Sequence, residues 1–152
     1  TSVNIPDSVT TIGDNAFASC TSLTSVNIPD SVTTIGEDAF YWCTSLTSVT
    51  IGNGVKTIEW GAFDNCTSLT SVTIPDSVTT IRSQAFNGCT SLTSVYCKAT
   101  TPPSLGVYVF DFNGSGRKIY VPAGSVNAYK TRWSEYASAI VGYDFENGVV
   151  VE

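Results

Sequence analysis

The chain has 152 residues, 42% of them hydrophobic, which is material for one folded domain, and it carries a net charge of −6. That charge is lopsided: residues 1–97 hold eight acids against Lys56 and Arg82, whereas residues 98–152 hold five acids and five bases. An acidic body without a basic stripe argues against nucleic acid and anionic membrane surfaces, and no apolar run reaches the roughly 18 residues of a membrane span.

The chain opens on TSVNIPDSVTTIGDNAFASCT and repeats that phrase three more times at a spacing of 23 residues. It lacks Met and begins inside a repeat, as a processed product or an excised piece of a longer chain would. The first complete copy shows the expected elements. Leu23-Thr24-Ser25-Val26-Asn27-Ile28 puts apolar side chains at alternate places near its end, which predicts a short half-buried strand. Pro29-Asp30 turns the chain. Val32 and Ile35 point inward from a second extended piece, with Thr33 and Thr34 outside. Gly36-Glu37-Asp38 is expected to open a short helical turn that carries Ala39 and Phe40, and Cys43 closes the unit. The pattern recurs as columns: Leu23/46/69/92, Val26/49/72/95, Ile28/51/74, Val32/55/78, Ile35/58/81, Phe40/63/86 and Cys43/66/89. Self-similarity at this period predicts a solenoid in which each copy buries its apolar side only against its neighbours.

After Cys97 the period stops in the sequence. ATTPPSL reads as a turn-rich exit, NGSG as a loop, and KIYVPAGS as a last strand followed by a helix whose N-cap would be Ser125. That helix places Val126, Tyr129, Trp133, Tyr136 and Ile140 on one stripe, expected to face the core. Residues 144–152, DFENGVVVE, carry an Asn-Gly turn signal and read as an added hairpin or the start of a further segment.

The opening of every unit, L-x-x-V-x-I, resembles the strand signature of leucine-rich repeats, and the whole phrase, L-x-x-V-x-I-P-x-S-V-x-x-I-x-x-x-A-F-x-x-C-x-x, is similar to the BspA-like, Treponema-type subclass of bacterial surface proteins. The resemblance implies an α/β fold: a right-handed leucine-rich repeat solenoid, with a parallel sheet on one face, short helical turns on the other, and a C-terminal capping strand and helix. It divides the chain into a solenoid at 1–97, a cap at 98–143 and a tail at 144–152. It also implies a place on the bacterial exterior, at the cell surface or secreted. One departure stands out. Where many leucine-rich repeats carry an asparagine ladder, this chain has Ser8, Ser31, Gly54 and Ser77. A hydroxyl can bond the neighbouring coil and Gly54 cannot, so the third coil is expected to be looser there.

Chemistry-bearing constellations are sparse. The sequence has no histidine, which removes the usual triads. Four of the five cysteines occupy one repeat position, without CxxC spacing, and read as small buried hydrophobes; Cys97 stands in for a strand isoleucine. Glu37-Asp38 reads as helix-start charge rather than an acid/base pair. Asp111 to Gly116 matches a calcium loop poorly, with serine at its fifth position. No enzyme activity, metal or cofactor follows from these residues.

Two surfaces remain. On the sheet face, outward columns are expected to run through Ser25, Ser48 and Ser71 and through Asn27, Thr50, Thr73 and Tyr96, rows suited to an extended polypeptide, to a glycan or simply to water. On the other face the copies disagree. Residues 1–22 and 24–45 differ only at Asp14/Glu37, Asn15/Asp38, Ala18/Tyr41 and Ser19/Trp42. With Trp60 on the next copy, Tyr41 and Trp42 are expected to form an aromatic patch, either exposed as an anchor or packed over the turn. The resemblance implies a non-catalytic module that binds a host or extracellular-matrix protein; a spacer stalk and carbohydrate binding are the alternatives.

Overall fold

In the computed structural model, residues 1–151 are described, and the repeat becomes a stack of coils. The first coil contributes β1 (Ser2–Asn4) and β2 (Thr11–Ile12), the second β3 (Ser25–Ile28) and β4 (Thr34–Ile35), the third β5 (Ser48–Ile51) and β6 (Thr57–Ile58). The fourth adds β7 (Ser71–Ile74) and β8 (Thr80–Ile81), followed by β9 (Ser94–Cys97) and β10 (Ser104–Leu105). Then come β11 (Lys118–Pro122), the helix α1 (Val126–Arg132), β12 (Ile140–Asp144) and β13 (Val149–Val151). Alternation decides which residues turn inward: Val49, Ile51, Val72 and Ile74 are buried while Ser48, Thr50, Ser71 and Thr73 between them are exposed. The two-residue strands form a second parallel sheet, ordered β2-β4-β6-β8-β10.

The third side of each coil departs from the expected helical turn. Residues 13–20 fold as successive tight turns, with Ala16 N donating to Gly13 O and Ala18 N to Asn15 O, both at 3.2 Å. Two residues per coil adopt left-handed backbone: Asn15 and Ser19, Asp38 and Trp42, Gly61 and Asn65, Gln84 and Gly88, then Tyr108 and Phe112. A left-handed residue ends a right-handed helix and turns alternate amides toward the next coil. Phe17 N thus donates to Ala39 O, Phe40 N to Ala62 O and Phe63 N to Ala85 O, each at 2.8 Å. Glu37 and Asp38 therefore sit on a turn ladder and have no helix dipole to meet.

Inside, Phe17, Phe40, Phe63, Phe86 and Phe110 form a continuous stack, with centroids 5.2 Å apart for the first three steps and 5.8 Å for the last. The final member shows that the coil geometry continues past Cys97. One residue is inserted, and Ser104 pairs with Thr80 and Tyr120 with Tyr96 at a spacing of 24. Asn113 takes the cysteine's place in this fifth coil and donates its amide to Phe86 O at 2.8 Å. The register was hidden because the apolar identities change while the backbone path does not.

Beyond the fifth coil, α1 begins at Val126, but Ser125 does not cap it; its hydroxyl donates to Thr100 O at 2.8 Å. The expected long helix also breaks at Trp133 into a 3-10 segment, Ser134–Ala139. The break lets Trp133 and Tyr136 both reach Phe110, at ring distances of 5.8 and 5.5 Å. The chain then returns as β12, parallel to β11, and β13 pairs antiparallel with β12.

The long strands do not form one sheet. β1-β3-β5 make one, β7-β9-β11-β12-β13 another, and no ladder joins β5 to β7. Beside this seam, coil three lies close against coil two at Gly52 and Gly54. A Cβ on Gly52 would lie 2.5 Å from the Pro29 carbonyl, and one on Gly54 would collide with Asp30 O, so only glycine lets coil three settle this closely on coil two. Across the seam, the Ser77 hydroxyl is buried without a partner among the described residues. Its counterpart Ser31 donates to Val9 O at 2.6 Å. Replacing Gly52-Asn53-Gly54 by the Pro-Asp-Ser of the other coils is expected to push coil three toward coil four, close the ladder and raise stability by about 1–2 kcal/mol in urea titration. A destabilised triple variant would refute this account of the seam.

Candidate binding surfaces

The cysteine column is structural. Cys43, Cys66 and Cys89 are fully buried, and their thiols donate to Phe17 O, Phe40 O and Phe63 O at 3.1–3.2 Å. Burial pushes Cys43 up to about 11 and Cys89 up to about 12, so neither forms a thiolate at neutral pH. Cys20 in the first coil is only half-buried. Native protein at pH 8 should therefore yield one rapidly alkylated thiol, on Cys20, and five after denaturation, as read by mass spectrometry of iodoacetamide adducts. Rapid native labelling of Cys66 would contradict the sealed column.

On the sheet face the predicted rows form within each sheet: Asn27 lies opposite Thr50, and Thr73 opposite Tyr96. Asn27, Ser48, Thr50, Ser71 and Thr73 are exposed, while Ser25 and Tyr96 are half-buried. The seam interrupts the rows between Thr50 and Thr73. There a groove of about 640 Å³ opens, lined by Asn27, Thr50, Gly52, Thr73 and Lys98. Sequence reading found Tyr96 but not its company. Tyr96 stacks on Tyr120 at 4.8 Å, and Tyr143 meets both at 5.3–5.4 Å, with Phe145 4.9 Å from Tyr143. Only the 24-residue step from Tyr96 to Tyr120 could have signalled this cluster. The sheet face is thus hydroxyl-rich over its first coils and aromatic over its last.

On the turn face, each coil has four positions that flank its Ala-Phe pair (Val-Phe in coil five), two before and two after. Trp42 holds the last position of coil two and Trp60 the first of coil three; they are 43% and 41% exposed. Tyr41 is half-buried and meets Trp42 edge-on at 5.9 Å, whereas no ring contact among the described residues joins Trp60 to either. Trp42 with Tyr41, and Trp60 apart from them, thus stand on this face as two separate aromatic groups. Sequence reading missed its continuation. In coil five, Val107 and Tyr108 are each 54% exposed and Phe112 is 78% exposed. Acids fill the spaces between. Asp64 is buried, its Oδ1 accepting from Asn65 Nδ2 at 2.9 Å and Asn87 Nδ2 at 3.3 Å. Burial raises its carboxyl above the usual range against the lowering effect of the Asn87 amide, and the nearby Asp38 charge raises it further. Asp38 is raised as well, by burial and by Asp14.

These coils match a known pattern along most of their length. The model of a family described as a BspA type leucine rich repeat region matches residues 1–130. The chain belongs to that family. Solved structures agree. A leucine-rich repeat protein from Bacteroides capillosus is 36% identical with a TM-score of 0.58, over 62% of this chain and 75% of that one. The Treponema pallidum leucine rich repeat protein is 28% identical with a TM-score of 0.70, over 81% and 59%. A leucine rich cell surface protein from Faecalibacterium prausnitzii is 30% identical with a TM-score of 0.73, over 88% of this chain and 34% of its own. This BspA-type domain thus spans 59% and 34% of the length of the last two. No curated protein matches it. Among the described residues of the BspA-type domain, no helix is long and apolar enough to cross a membrane.

Proposed function

We propose that this BspA-type domain is a non-catalytic protein-binding module on a bacterial exterior, where it attaches the cell to host or extracellular-matrix protein. The observation that carries the reading is Trp42. Its side chain is 43% exposed and its backbone is left-handed at φ +59°, in a protein whose other apolar columns are sealed. A bulky residue there costs about 1–2 kcal/mol of strain, and the edge-on contact with Tyr41 still leaves much of the ring in solvent. Exposed tryptophan at such a cost is the composition of an interface anchor. Family membership, and the cell-surface description of the Faecalibacterium relative, support the location.

The test is binding to an array of immobilised matrix proteins and glycans. Trp42→Ala/Trp60→Ala is expected to weaken binding to a matrix protein about tenfold or more, with an unchanged melting curve. Equal binding by the double variant would overturn the assignment. A second reading, carbohydrate binding, is favoured by the groove at Asn27, Thr50 and Thr73 and the tyrosines beside it. It predicts glycan signals on the array that Tyr96→Ala removes. Silence on both arms leaves the spacer stalk.

A further inference from the structure

We propose that the turn face docks a cationic protein segment, which lays lysine and arginine side chains against Glu37 and Asp38 between aromatic anchors in coils two, three and five. This rests on reading that face as the binding surface and adds the chemistry of its partner. The first argument is where the copies vary. Coils one and two are identical over residues 1–22 and 24–45 except at the four outward turn positions, so what distinguishes these two coils is displayed on this face.

The second argument is strain. Three left-handed positions carry Trp42, Tyr108 and Phe112, where other coils use serine, asparagine, aspartate, glutamine or glycine. All three side chains are exposed. Aromatic rings are thus held outward, at a conformational cost, from the second coil to the fifth. At roughly 4.8 Å per coil that distance is about 14 Å, the reach of four or five extended residues.

The third argument is charge. None of the twenty turn positions flanking the Ala-Phe and Val-Phe pairs of the five coils holds a lysine or arginine, and among the described residues the one ion pair, Glu59 with Arg82 at 3.5 Å, lies at the border of the face. Gly61 leaves the room that lets the Asp38 carboxylate lie over coil three, because a Cβ there would collide with Asp38 Oδ1. Asp14, Asp38 and Asp64 follow one another up the stack; burial raises the carboxyls of the last two, and the neighbouring acid raises each a little further. Carboxylates interleaved with indole and phenol rings suit ammonium and guanidinium groups, through both ion pairing and cation–π contact. A second copy of this acidic face would be repelled.

The test uses a dye-labelled Gly-Lys-Ser repeat peptide with its Gly-Glu-Ser counterpart as control, followed by anisotropy and by amide and indole NMR shifts. The lysine peptide is expected to bind, to shift the Trp42 and Trp60 indole signals, and to weaken as salt rises. Glu37→Gln/Asp38→Asn should weaken it about fivefold or more, and Trp42→Ala/Trp60→Ala about tenfold. Asp7→Asn/Asp76→Asn, which removes the same charge from exposed acids elsewhere, should change it less than about twofold. No binding, shifts confined to the sheet face, or equal effects of the two acid-to-amide pairs would overturn the inference. Its failure is separable from that of adhesion. Tryptophan-dependent binding to a matrix protein, indifferent to Glu37→Gln/Asp38→Asn, would refute the cationic partner alone. The stated peptide pattern without any matrix-protein binding would refute adhesion alone.

Discussion

Phe63→Ala is expected to cost about 3–5 kcal/mol, a large share of the roughly 5–15 kcal/mol that holds a domain of this size together. Phe63 is fully buried and stacks on Phe40 and Phe86, each at 5.2 Å and within 5° of parallel. Truncation removes both faces of the stack and leaves a void. The coils above and below cannot close that void, because their spacing is fixed by backbone bonds such as Phe40 N to Ala62 O and Phe63 N to Ala85 O. Phe17 provides the comparison. It is half-buried and stacks on Phe40 alone, so Phe17→Ala should cost about half as much or less. Urea titration of both variants decides the matter. Equal losses, or a loss below about 1.5 kcal/mol at Phe63, would mean that the phenylalanine column is not the axis of stability. A defect in the middle of the array should also broaden or split the transition, since each coil is held only by its neighbours.

Trp133→Ala should cost a similar 3–5 kcal/mol at the other end of the core. Trp133 is 1% exposed, packs against Phe110 and Tyr129, and donates its indole N–H to the buried carbonyl of Pro103 at 3.0 Å. Its loss removes the largest side chain over the last phenylalanine and leaves that carbonyl unpaired, which adds about 1 kcal/mol. Trp133→Phe keeps much of the packing and loses the hydrogen bond, so it should fall between the variant and the native protein. Arg132→Ala, exposed next door, should change stability by less than about 0.5 kcal/mol. Fluorescence gives an independent readout. Trp133 is the single buried indole among three, so the native emission of Trp133→Ala should already resemble that of solvent-exposed tryptophan. A variant that keeps blue-shifted emission, or that unfolds like the native protein, would show that the segment around α1 does not seal the stack. We propose that sealing as its role, since the solenoid would otherwise end on an open coil.

The two surfaces show where sequence reading ran out. The columns from Leu23 to Cys89 were legible because identical copies at identical spacing must place like residues on like rungs, whatever the backbone does between them. The fifth coil was not legible: Val109-Phe110 replaces Ala-Phe, Asn113 replaces cysteine, and one inserted residue shifts the register, while hydrogen bonding to the fourth coil keeps the path. Trp42 and Trp60 could be named as candidates from the differences between copies. Tyr108 and Phe112 could not, because they belong to the coil whose register was lost. The tyrosine cluster escaped for another reason: Tyr143 reaches Tyr96 and Tyr120 only through β12, whose place in the sheet no local pattern announces.

By itself the sequence determined the solenoid, the identity of its buried columns and the absence of histidine chemistry, because periodicity is a property of the chain that survives any local conformation. Tertiary structure decided the rest: the left-handed turns in place of helix, the seam between β5 and β7, and which aromatic rings stand in water. Those outcomes depend on how closely one coil settles on the next. That distance is set at single positions such as Gly52 and Gly54, where the presence or absence of one Cβ outweighs the pattern around it.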